Sequence, residues 1–116
     1  MVEVDLAGID CPELGQDFGR EAKDFTVGLL EGKIVTVIIE SDSHRVKVGK
    51  VEIYGKDASL TIIQAGFGWV YPRAPSDRKV MAAETDARSG NRGLWQEADP
   101  VPPWVWRLGN RTVHQP

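Results

Sequence analysis

Cysteine is almost missing from this chain of 116 residues. Cys11 is the only one, which excludes an internal disulfide and a cysteine cage for a metal. Beside Asp10 and Glu13 its thiol should ionise late, so it reads as a small buried hydrophobe and not as a nucleophile. Histidine is also scarce. His44 and His114 fall in a turn and a tail and mark neither a metal site nor a general base. No apolar run approaches the roughly 20 residues that cross a bilayer. The opening "MVEVDLAGID" lacks the basic patch and apolar stretch of a signal peptide, so a soluble protein with no membrane partner is expected. Positive charge is short too: a net charge of -3 at pH 7 is not the footprint of a strong nucleic-acid binder. Repeats and low-complexity linkers are absent.

What is present is the composition of one soluble globular domain, 41% hydrophobic and 27% charged, long enough to bury a core. Charge is uneven along it. The chain is acid-rich up to Tyr71. Beyond, Arg73, Arg78, Arg88, Arg92, Arg107 and Arg111 with Lys79 outnumber the acids, so attraction for phosphate must come from a local patch. Val2, Val4 and Leu6 alternate with Glu3 and Asp5, the period of a half-buried strand that breaks at Pro12. Phe18, Ala22, Phe25 and Leu29 form one helical stripe, with Gly32 just past its end. "KIVTVIIESD" is a β-branched strand, and Val46 to Ile53 return antiparallel to it. Asp57 caps a short helix closed by Gly66. Ser76 is placed to cap another helix running to about Arg88. Leu94, Trp95, Trp104 and Trp106 are expected to lie back on the helices, and the polar tail 108–116 to be disordered. Few strands followed by helices predicts a small α+β domain over residues 1–107.

Taken together, "GIDCPE", the Gly-Arg-Glu-Ala helix start, "GKIVTVIIES", "YGKD", "AGFGWVYPR" and "RGLW" resemble the staphylococcal-nuclease, or thermonuclease, family. The match covers roughly residues 4 to 107. The resemblance implies an OB-type barrel with flanking helices, here lacking the family's first two strands. It also implies calcium-dependent hydrolysis of phosphodiester bonds in DNA or RNA, in which carboxylates hold a hard cation and arginines neutralise the transition state. Asp10 then matches a metal-binding aspartate. Cys11 takes the position whose backbone carbonyl joins the metal shell, and Glu13 matches the glutamate that orients or activates water.

Other parts of the family pattern are missing. No "DGDT"-like aspartate occurs. Asp5 stands where the first catalytic arginine belongs, and ungapped counting puts Val46 at the second. Arg45 is its neighbour and would serve only if the turn holds a one-residue slip. Little or no activity is therefore expected, since removing one preorganised charge donor costs about 10²–10³ in rate. A chain missing two strands should expose apolar edges, pair as a homodimer or rearrange its strands. A third, plainer reading is an N-terminally truncated product of a longer gene. Plainer readings stand beside these. Asp10 and Glu13 could be an acidic turn, Arg20 and Glu21 helix-start surface groups, and Arg45 a solvated cation. Trp69, Tyr71, Trp95, Trp104 and Trp106 could be core and not stacking platforms for bases. The alternative function is a non-catalytic OB-type module that binds nucleic acid or protein.

Overall fold

The computed structural model describes residues 4–42, 47–72 and 77–113, with side chains as far as 109. Arg45, His44, His114 and Ser76 lie outside the described residues. The elements run β1 (Val4–Leu6), β2 (Ile9–Asp10), α1 (Gly19–Leu30), β3 (Thr36–Asp42), β4 (Lys47–Ile53), β5 (Lys56–Asp57), α2 (Ala58–Ala65), β6 (Trp69–Val70), α3 (Arg78–Ser89), a 3₁₀ turn (Gly93–Gln96) and α4 (Pro103–Val113). Strands and helices are mixed as an α+β domain of the expected OB type. None of the described helices is long and apolar enough to cross a membrane.

β3 and β4 form the expected antiparallel hairpin, from Thr36 opposite Glu52 to Asp42 opposite Lys47. Their register slips between Ile39 and Ser41, leaving Glu40 as the extra residue of a bulge. β4 is the hub of the sheet, because β1 runs parallel along it (Val4 opposite Lys47) and β5 pairs with its end. A second, two-stranded ladder joins β2 to β6, with Asp10 opposite Trp69.

α2 carries the core. Ala58, Ile62 and Ile63 are completely buried; Ile62 and Ile63 pack with Ile9, Val80 and Ala83 and with the partly buried Phe25 and Leu29 of the predicted α1 stripe, and Ala58 packs with Val51 and Ile53 of β4. Asp57 caps α2 by accepting from the Ser59 N–H at 3.0 Å. Gly66 ends it at φ 86, a left-handed conformation that favours glycine. The "RGLW" run then clamps that end. The Leu94 N–H donates to the Gly66 carbonyl at 2.9 Å, and a Cβ on Gly66 would stand 2.2 Å from the Arg92 carbonyl oxygen. The two backbones meet too closely for any side chain between them.

Trp69 and Trp95 are buried with ring centroids 4.5 Å apart. Arg88 lies over the Trp95 ring at 4.2 Å, a cation–π contact across the end of α3. Trp104 meets Trp69 edge-on at 5.7 Å. The core account therefore holds for Trp69 and Trp95, while Trp104, Trp106 and Tyr71 stay half-buried.

Two expectations need correction. The cap of α3 is Asp77, whose carboxylate accepts from the Lys79 N–H at 2.8 Å. The chain after Arg107 continues as helix to Val113, where a disordered polar tail was expected to begin at 108. Pro103 is fully buried and Trp104 packs on Trp69, so tertiary packing fixes the first turn and the helix propagates from it. β3, by contrast, is exposed at all seven positions and, among the described residues, pairs with β4 alone.

Candidate active site

The turn from β2 into α1 holds Asp10, Cys11 and Glu13. Three local features fix it. β2 is laced to β6, and the Tyr71 N–H donates to the Gly8 carbonyl at 2.8 Å, which sets "GIDC" beside "WVY". Gly19 opens α1 against the turn itself: a Cβ there would lie 1.8 Å from the Glu13 carbonyl oxygen, so only glycine lets the helix start so close. Phe18 before it is held at φ 65, a strained conformation for a bulky residue costing about 1–2 kcal/mol. Its ring packs against the tryptophan cluster, which offsets that strain. Gln16 completes the brace. Its side-chain oxygen accepts from the Glu13 N–H at 3.1 Å, and its amide nitrogen donates to the Val101 carbonyl.

Asp10 and Glu13 converge on one partner, Arg107 of α4. Nη2 of Arg107 donates to Asp10 Oδ2 at 2.6 Å, and Nη1 donates to Asp10 Oδ1 at 3.3 Å and to Glu13 Oε1 at 2.7 Å. Such charge-assisted forks are among the stronger hydrogen bonds in proteins. They raise the affinity of the guanidinium for its proton above the ordinary arginine value, chiefly through the bond to Asp10; burial opposes the effect and Glu13 adds to it. The group is open to solvent, the Arg107 side chain being 38% exposed and that of Asp10 15%. The triad sits in a cleft of about 560 Å³ whose lining also includes Asp5, Val48 and Tyr71.

Cys11 is half-buried beside the pair. Burial first, then the charges of Asp10 and Glu13, push its thiol up to about 12. It stays protonated at neutral pH, in line with the inert reading and against a nucleophile. A hard cation takes roughly six to eight oxygens. Here both oxygens of Asp10 and one of Glu13 are engaged by Arg107, and among the described residues no group of three or more acidic, histidine or cysteine side chains converges to hold a metal. The residues as folded do not fit a calcium shell. Asp5 is exposed and lies on the cleft wall, at the position where the resemblance called for arginine. Arg45 lies outside the described residues.

Arg107 is the site residue that sequence reasoning missed. It is 97 residues from Asp10, and no local motif marks it. One signal existed: Trp104 and Arg107 are three apart on a helix and share a face, and Trp104 stacks on Tyr71 at 5.3 Å. Placing that tryptophan on "WVY" would have placed the arginine on "GIDCPE".

A family model described as staphylococcal nuclease homologue matches residues 3–97. An "Uncharacterized endonuclease" of Escherichia coli O157:H7 is 39% identical over 108 residues, covering 91% of this chain and 71% of that protein. The "Staphylococcal-like nuclease CAN1" of Arabidopsis thaliana is 31% identical over 107 residues, covering 91% of this chain but 33% of its own length. A 38.1 kDa protein of Capnoides sempervirens is 35% identical over the same share of this chain. α4 with Arg107 falls beyond the stretch matched by the family model.

Proposed function

Since the chain belongs to the staphylococcal nuclease homologue family, we propose that it is a phosphodiester hydrolase domain for DNA or RNA, slow or inactive as it stands. The observation that carries this reading is the meeting of Asp10, Glu13 and a guanidinium on the wall of one open cleft. Cutting at phosphorus requires an acceptor for the proton of the attacking water and positive charge near the phosphate oxygens. Glu13 suits the first task. One of its oxygens accepts from Arg107, and the other, Oε2, has no partner among the described residues and is open to water. Asp10 orients the guanidinium. Positive charge is the limiting quantity, because Asp5 and Val46 stand where the family carries arginine. The calcium implied by the resemblance would add charge if bound, but Asp10 and Glu13 are already engaged.

The test is cleavage of single-stranded DNA and RNA, with calcium and with a chelator. Slow turnover that disappears in Glu13→Gln is expected. Equal turnover by the wild-type chain and Glu13→Gln would remove Glu13 from the chemistry. The second reading, an OB-type module that binds nucleic acid or protein without cutting, is favoured by the filling of the carboxylate pair by Arg107. Oligonucleotide binding without cleavage supports it. The exposed face of β3 would pair with a second copy of the chain; light scattering should then give a dimer mass that falls on dilution, and a monomer at high concentration refutes the pairing.

A further inference from the structure

We propose that Arg107 is the phosphate-binding residue of this cleft, taking over from α4 the task for which Asp5 and Val46 are unsuited. The proposal deepens the nuclease reading and rests on it for the identity of the substrate. The argument is one of counting donors. A guanidinium has five N–H groups. Nη1 spends both of its hydrogens, one on Asp10 and one on Glu13, and Nη2 spends one on Asp10. Nε–H and the outer hydrogen of Nη2 are left without a partner among the described residues. These two lie on the same edge of the plane, parallel to each other, and form the fork that matches two oxygens of a phosphate.

Asp10 and Glu13 thus engage the end of the guanidinium while leaving its side edge available. With a side-chain exposure of 38%, that edge can be reached from solvent. The group is also held in place from behind. Pro103 is fully buried, Trp104 packs on Trp69 and Tyr71, and Trp106 lies within 3.1 Å of where a Cβ of Gly15 would stand. A fork oriented by two carboxylates and carried on a docked helix loses little freedom on binding. Asp5 opposes an incoming anion, as do Asp10 and Glu13, whose two charges outnumber that of Arg107; Asp5 is exposed and screened by solvent and salt, and binding comes from the directed N–H pair and not from net positive charge.

The full chain is tested by NMR, following the Nε–H signal of Arg107 during addition of inorganic phosphate and then of a single-stranded oligonucleotide. Cleavage by Arg107→Lys and Arg107→Gln is measured alongside. The Arg107 signal should move on adding phosphate. Arg107→Lys keeps the charge and loses the fork, so oligonucleotide affinity should fall at least about tenfold. A signal that ignores both ligands overturns the proposal even if the chain cuts nucleic acid. A signal that moves in a chain without cleavage keeps the proposal and favours the non-catalytic binding module. Faster cleavage or tighter oligonucleotide binding by Arg107→Gln would make the guanidinium a plug, and overturns the proposal as well.

Discussion

Ile62 and Ile63 of α2 are fully out of solvent, whereas Ile38 and Ile39 of β3 are 45% and 43% exposed. Both segments are apolar runs, and the difference comes from their neighbours. α2 packs against β4, α1 and α3, so the face that carries Ile62 and Ile63 meets partners. β3 pairs with one strand among the described residues and is exposed at every position. Burial is a property of the available partners more than of the residue type. The turn that carries Asp10 and Glu13 belongs with the first region: Ile9 sits in the α2 core and leads directly into Asp10.

The contrast can be broken most severely at Ile62. Ile62→Ala leaves a cavity in a region with no room to collapse, and should cost about 3 kcal/mol, within the range for buried isoleucine. Equilibrium urea unfolding measures it; a loss below about 1 kcal/mol would mean that the α2 core is loosely packed. A smaller, pH-dependent effect belongs to Cys11. Its thiol ionises near 9 in an ordinary setting and at about 12 in the fold. Between those values the folded chain keeps a proton that the unfolded chain has lost, so stability falls as pH rises through that window and is unaffected below it. Unfolding at pH 8 and at pH 10.5, compared with Cys11→Ala, isolates this contribution. Native Cys11 should also react with iodoacetamide at pH 8 about three orders of magnitude more slowly than an unfolded thiol, because the thiolate is the nucleophile. The smallest effect is expected at the open edge. Ile38→Thr should change the stability of a monomer by less than about 1 kcal/mol, and a larger loss would show that something covers β3 in solution.

Much of the fold was legible because its signals are local. The Asp57 cap and the Gly66 stop lie within four residues of the backbone groups they satisfy. The hairpin is announced by its β-branched strands. The α1 stripe predicted from Phe18, Ala22, Phe25 and Leu29 does face the core, with Ala22 buried. The parallel pairing of β1 with β4 was not legible, since register between distant strands leaves no mark in either one. Asp10 and Glu13 were found as a pair from six residues. Their partner was not, because counting for arginine stayed inside the strands where the family carries it. The helical run past Arg107 escaped for a related reason: polar composition suggested a tail, and the packing of Pro103 and Trp104 that starts the helix is tertiary.

The bond between Arg107 and Asp10 joins positions 97 residues apart. A proteolytic nick between α3 and α4 would therefore leave the strands and the α2 core in place while stripping both carboxylates of their cation. The electrostatics of the cleft thus report whether α4 is docked.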